Sequence, residues 1–388
     1  MKELEKVSSA GGSRREFLRN GAAAAGVATA AGMVIPGRLL AGDHDGDGDD
    51  AQLTKGDIAI LRLLSAAEQI ETDLWLQYSE LGGTQDNEVS GLNGGNSIYS
   101  GALQLLDGDM SQYVHDNTDD EITHHNFLNK YLESKGAEPV DLSNFATLPS
   151  SKATGAKQIG RLTNLTQLSV DTTWWTRYRS TTNPDLGAKF QNAVPSLVSG
   201  QFTAIPRTDA DLGTSFLSDD NTKSIDDRLK AIAFTAGFHF AFIEQGGTSL
   251  YATLAQQVTS LEVLRILLSI GGSETMHFQT WQDKAGNATP LTSFDPINKS
   301  TVTFVDLTQN QPEDLQANLI MPEPCDFLHK SLGPVAIIRP TTPRNSGARA
   351  AIQSFVDDGL FIGQKDPNFL TTVFRLADEA DAARRQLR

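Results

Sequence analysis

A mainly α-helical protein is the fold this sequence predicts: a four-helix bundle with a long crossover between helices two and three and a loop-rich C-terminal extension. Three observations predict it. Apolar residues recur at helical spacing over four long stretches, most of them closed by glycine. Two Glu-x-x-His pairs fall on two different stretches, and the first pair of stretches matches the second pair as an internal repeat.

Composition limits the function. Of 388 residues, 39% are hydrophobic and 21% charged, the balance of a folded globular chain. Asp and Glu number 48 against 32 Lys and Arg, and the net charge of -16 disfavours nucleic acid and anionic lipid as partners. The single cysteine, Cys325, rules out an intramolecular disulfide and a Cys-ligated zinc or iron–sulfur site within one chain.

At the N-terminus, Ser13-Arg14-Arg15-Glu16-Phe17-Leu18-Arg19 is followed by an uncharged, Ala- and Gly-rich stretch over residues 20–37 and by small-residue cleavage chemistry at Leu39-Leu40-Ala41. The arrangement resembles the bacterial twin-arginine signal, so residues 1–41 are expected to engage the twin-arginine export machinery. The expected destination is the periplasm or the exterior. That route carries passengers already folded, which suits a protein that acquires a cofactor first. Residues 42–54 form an acidic linker. Read as a calcium loop from Asp43, they place Gly48 correctly but Thr54 where a bidentate Glu is required, which favours a solvated linker.

The bundle is expected over residues 55–286. Its first helix, 55–81, carries Ile58, Leu61, Leu64, Ile70, Leu74 and Tyr78 on one face and ends at Gly82-Gly83. The second covers 110–134, or begins nearer Thr118, and ends before Gly136; the third covers 225–257 and the fourth 261–284 before Gly286. Between the second and third runs the crossover, 137–224. Its aromatic-basic segment, Trp174-Trp175-Thr-Arg177-Tyr178-Arg179, is read as packing on the bundle, because the acidic balance argues against nucleic acid. The extension, 287–388, is proline-rich, with a short strand near 301–305 and closing helices at 348–357 and 368–385.

Two pairs carry the chemistry. Glu121-Ile-Thr-His124 lies in the second helix and Glu274-Thr-Met-His277 in the fourth; residues three apart share a helical face, so each pair aims a carboxylate and an imidazole one way. In the first helix, Glu68-Gln69-Ile70-Glu71-Thr72-Asp73-Leu74-Trp75 aligns with Glu244-Gln245-Gly246-Gly247-Thr248-Ser249-Leu250-Tyr251 in the third. This repeat selects Glu68 as the partner of Glu244. The candidate metal ligands are therefore Glu68, Glu121, His124, Glu244, Glu274 and His277. One Glu from each of two helices and Glu-x-x-His from the other two can hold a pair of divalent ions, the carboxylates balancing their charge.

Three residues flank that set. Trp75 and Tyr251 follow their glutamates by seven residues; each either hydrogen-bonds a ligand carboxylate or is an ordinary core aromatic. Glu71, whose counterpart is Gly247, is either an additional carboxylate for the metals or an unrelated buried or rim acid. Gly246-Gly247 serves either close helix packing or a small cavity beside the metals. His125 and His239 face away and read as structural, while His44 and His115 have no evident partner.

The ligand pattern resembles the ferritin-like superfamily. The phrase Asp120-Glu121-Ile-Thr-His124-His125-Asn-Phe-Leu is similar to the branch holding twin-arginine-exported and desiccation-related ferritin-like proteins. The resemblance implies an up-down-down-up helix order, two Fe or Mn ions as cofactors, and an oxidoreductase acting on small oxygen species, O2 or peroxide. It also leaves room for metal binding or storage, or for stress protection, without turnover.

Overall fold

The computed structural model describes residues 53–177 except 90 and 93, 191–218, 223–307 and 347–386, with a few short pieces between 322 and 336. The export motif, the linker up to residue 52, His44, Tyr178, Arg179 and Cys325 lie outside the described residues.

Four long helices form the frame: α1 Lys55–Gly82, α2 Met110–Ser134, α3 Asp227–Ala255 and α4 Leu261–Ala285. Local chemistry sets their starts. Thr54 caps α1 in a reciprocal pairing with Asp57: the Asp57 backbone N–H donates to Thr54 Oγ1 at 3.0 Å, and the Thr54 N–H donates back to Asp57 Oδ2. Asp57 also accepts from the backbone N–H of Thr259 at 2.8 Å and of Ser260, so one carboxylate fixes both the head of α1 and the α3–α4 turn. Asp226 caps α3 and Ser260 caps α4 through side-chain oxygens.

Cross-helix contacts give the directions. Along α1, Ser65 meets Asn129 and Thr118 meets the Trp75 carbonyl, so α2 runs antiparallel to α1. Glu68 meets Tyr251 while Tyr78 meets His239, so α3 also opposes α1. Contacts of His277 with Glu244 and of Gly271 with Tyr251 set α4 against α3. The order is up-down-down-up, as expected. A short helix at Ser97–Leu103, absent from the sequence reading, fills the α1–α2 connection; Asn96 caps it, and its buried Tyr99 donates to the Ala204 carbonyl at 2.7 Å.

The crossover packs on the bundle through α1. Asp73 accepts from the backbone N–H groups of Leu162 and Thr163 and from the Thr163 hydroxyl, at 2.7 to 3.0 Å. Two turns further on, Glu80 pairs with Arg161, both buried, at 2.5 to 2.6 Å. A buried guanidinium stripped of water needs such a partner. Trp174 is fully buried, edge-on to Phe278 and near Phe238.

The C-terminal residues lie on the same compact unit. An antiparallel hairpin pairs β1 Leu291–Asp295 with β2 Ser300–Phe304, Leu291 opposite Phe304, and Phe304 packs edge-on to Phe234 of α3 at 5.4 Å. Helix α5, Ala348–Asp358, touches α3, and α6, Pro367–Asp381, lies along α1. The last helix thus ends four residues short of the expected 385. Asp358, ending α5, stands 2.8 Å from Nε2 of buried His239, whose other ring nitrogen meets the Tyr78 hydroxyl at 2.8 Å. His239 therefore has the structural place expected of it. Among the described residues, no helix is long and apolar enough to cross a membrane.

Candidate metal centre

The bundle interior gathers all six candidate ligands. Each helix contributes from its middle turns, and the i, i+3 spacing turns both members of a Glu-x-x-His pair inward. Ligand atoms of Glu68, Glu121, His124 and Glu274 lie within 4.8 Å of one another, and so do those of Glu121, Glu244, Glu274 and His277. Glu121 and Glu274 belong to both groups. Glu68 with His124 completes one, and Glu244 with His277 completes the other, so the sequence repeat becomes a pseudo-two-fold pair of four-ligand sets.

The histidines face the carboxylates directly. His124 Nδ1 lies 3.3 Å from Glu68, 3.2 Å from Glu121 and 3.3 Å from Glu274. His277 Nδ1 lies 3.3 Å from Glu121 and 3.2 Å from Glu244. The opposite nitrogens have partners of their own: Ser273 Oγ is 3.1 Å from His124 Nε2, and Asp120 Oδ2 is 3.0 Å from His277 Nε2. A carboxylate behind an imidazole holds the proton on the far nitrogen and leaves the near lone pair for a cation.

The donor set fits a metal pair. Glu68, Glu121, Glu244 and Glu274 are 0–1% exposed, far from water that could solvate four negative charges. Glu68 Oε2 and both oxygens of Glu274 have no hydrogen-bond donor. Buried acceptors left without donors, facing each other from α1 and α4, are the chemistry that a cation satisfies.

Electrostatics agree. Burial, followed by the neighbouring Glu244 and Glu68, pushes the Glu121 carboxyl up to about 7. Burial and the surrounding carboxylates lift Glu274 and Glu71 well above the ordinary range. Burial opposes charge on His124 and His277, but Glu68 beside the first and Glu244 beside the second hold both imidazoles protonated. Burial likewise opposes ionisation of Glu68, and His124 overrides it, holding that carboxyl below its ordinary value. Without metal, protons and imidazolium charges do the work of the cations.

The flanking residues divide. Tyr251 donates its hydroxyl to Glu68 Oε1 across the bundle. Trp75 does not act on a ligand: its Nε1 has no hydrogen-bond partner, and its ring stacks on Phe240 at 4.8 Å and Trp281 at 5.3 Å. Glu71 is buried and lines a pocket next to the cluster, outside both ligand groups. His125 faces Thr72, 3.0 Å from its hydroxyl.

Two supporting residues escaped the sequence reading. Asn117 donates to Glu121 Oε1 and to Glu244 Oε1, each at 3.0 Å, and Trp281 Nε1–H donates to Asn117 Oδ1 at 2.7 Å. Asn117 precedes Glu121 by one turn and Trp281 follows His277 by one turn, a spacing that marks them as neighbours of ligands. The repeat concealed them, because their counterparts, Ile270 and Leu128, are apolar. His115 also gains partners: buried, it sits between Asp86 at 3.0 Å and Asp116 at 3.3 Å, with Glu88 close by.

The family is decided by extent. Residues 56–287 match the family described as ferritin-like domain, which is more than half of the chain and all four ligand-bearing helices. The chain belongs to the ferritin-like domain family. Comparison with curated proteins and with solved structures finds no match. In this ferritin-like protein the match ends two residues beyond α4, so the hairpin and helices α5 and α6 lie outside it, although they pack on the same bundle.

Proposed function

We propose that this ferritin-like protein is exported, holds two iron or manganese ions in the six-residue cluster, and acts as an oxidoreductase on dioxygen or peroxide. The observation that carries the reading is the sharing of Glu121 and Glu274 between two four-ligand groups, a geometry that suits a bridged pair of ions better than one. Bound there, the ions supply reversible electron transfer to a small oxygen species.

The chain's own residues then have separate tasks. Glu121 and Glu274 would be shared between the two ions, and Glu68 with His124 and Glu244 with His277 would each complete the hold on one. Tyr251 holds one oxygen of Glu68, and Asn117, itself steadied by Trp281, holds one oxygen each of Glu121 and Glu244, so carboxylate movement is confined to the remaining oxygens. The buried setting keeps bulk water from the cluster. Export rests on Arg14-Arg15 and the uncharged stretch behind them; Arg14-Arg15→Lys-Lys is expected to leave the protein inside the cell, and unimpaired export of that form defeats the assignment.

A second reading is metal binding, storage or stress protection without turnover. It is favoured by the way the cluster ties together all four helices, as a structural metal does. The deciding experiment purifies the folded protein from its native host, measures metal identity and stoichiometry, and records the visible spectrum with and without peroxide. Two ions per chain with spectral change and peroxide consumption support an oxidoreductase. Two ions with no reaction, and a large fall in melting temperature on chelation, support the structural reading.

A further inference from the structure

A pocket of about 130 Å³ reaches toward the cluster from the side covered by α5. Its mouth is formed by half-buried Ala350 and exposed Ser354 on α5, and its deep end by Glu71 and Gly247, both buried. Gly247 abuts the metal cluster itself: a Cβ placed on it would overlap the carboxylate of Glu274. Gly246, the neighbour in sequence, has nothing within 4 Å of a Cβ position and faces the open part of the pocket. The glycine pair therefore has two tasks. Gly247 lets a bridging carboxylate come close, and Gly246 leaves a space beside it.

The dimensions and chemistry of this space select a ligand. A water molecule takes about 30 Å³ of liquid volume, so the pocket holds on the order of four waters, or one or two small molecules. Its acidic lining groups are Glu71 and Asp171, with no basic side chain among the described residues that form it. An anion finds no cationic partner there, and a small neutral molecule needs none. Leu250 and Phe355 supply apolar wall, and α5 narrows the mouth.

Resting on the dinuclear reading above, we infer that this pocket, with helix α5 at its mouth, is the entry and holding site for the small neutral oxygen species, hydrogen peroxide or dioxygen, that reacts at the carboxylate cluster. The C-terminal extension thereby shapes access to a centre built entirely by the bundle.

The test uses the full chain loaded with iron(II) and nitric oxide as a neutral diatomic probe, with association followed by visible absorbance in stopped flow. Gly246→Leu fills the pocket from α3, where an added side chain meets open space. Ala350→Trp blocks the mouth from α5, at a half-buried position outside the four bundle helices. Both are expected to keep wild-type metal content and melting temperature and to slow nitric oxide association at least tenfold. Association at the wild-type rate in both variants, with metal intact, overturns the inference. If the wild-type protein takes up no metal, the dinuclear reading has failed instead, and the pocket is read in metal-free crystals under xenon. Xenon density between Gly246 and Leu250 in the wild type, lost in Gly246→Leu, upholds an entry site for small neutral molecules; no density in the wild type overturns it.

Discussion

Gly247 on α3 and Glu274 on α4 stand in direct contact, the backbone of the first against the carboxylate of the second, with no room for a methyl group between them. Helix propensity predicts that Gly→Ala in a helix interior gains about 1 kcal/mol. At Gly247 the overlap reverses the sign: overpacking costs on the order of 1–3 kcal/mol and pushes the Glu274 carboxylate aside. Gly247→Ala is expected to lower both melting temperature and metal content, whereas Gly246→Ala, with open space at its Cβ, raises the melting temperature and keeps the metal. Equal behaviour of the two variants in thermal melts and metal analysis would contradict the geometry.

The shared carboxylates predict unequal stoichiometries. Glu121 and Glu274 serve both ligand groups, whereas His124 serves one and His277 the other. Glu121→Ala or Glu274→Ala should release both ions. His124→Ala or His277→Ala should leave close to one ion per chain. Elemental analysis after desalting decides the matter; a half-loaded Glu121→Ala protein would show that the two groups do not share it.

Asn117 donates to two of the candidate ligands, Glu121 and Glu244, and belongs to neither four-residue group. Removing such a support from metal ligands costs roughly 10–100-fold in affinity. Asn117→Ala is expected to fall in that range in chelator competition, and Trp281→Phe, which removes only the donor that steadies Asn117, to fall less. Tyr251→Phe should weaken the Glu68 end alone. An Asn117→Ala protein with unchanged metal affinity would place the residue outside the centre's support.

The cluster should make metal-free and metal-loaded protein respond oppositely to pH. Glu121, raised by burial to about 7 against an ordinary 4.5, binds its proton more tightly in the folded chain. Its stabilising contribution is complete below pH 4.5 and is lost as pH rises through about 7. Glu274 is raised by burial and neighbouring carboxylates and acts in the same direction, and His124 and His277, held protonated by Glu68 and Glu244, extend the loss above pH 6.5. Glu68, depressed by His124, acts oppositely, but only below 4.5. Metal requires the deprotonated forms, so its affinity grows over the same interval. Melting temperatures from pH 5 to 8 should therefore fall for the metal-free protein, and the gap to the loaded protein should widen. Parallel curves would rule out proton–metal competition at these residues.

Much of this molecule was written locally. Helical periodicity and glycine stops placed α1, α3 and α4 within two residues, and the end of α2 but not its start, left open between 110 and 118, because an amphipathic run must bury its apolar face wherever it packs. The spacing within Glu121–His124 and Glu274–His277, joined to the repeat that paired Glu68 with Glu244, was enough to bring six residues together. Each of those inferences needed only neighbours along one helix or a match between helices. Rotation of a helix about its axis and packing across the bundle are not local, and there the sequence was silent. Trp75 and Tyr251 occupy equivalent positions, yet only Tyr251, 183 residues away from Glu68 in the chain, reaches a ligand, while Trp75 is stacked between Phe240 and Trp281. Asn117 reaches Glu244 across 127 residues, and α5 arrives from beyond the bundle to stand at the mouth of the pocket. The ligands were legible because periodicity repeats every turn of a helix; the groups that steer them, and the path that leads to them, depend on which side chains meet when four helices close on one another, and only the folded chain decides that.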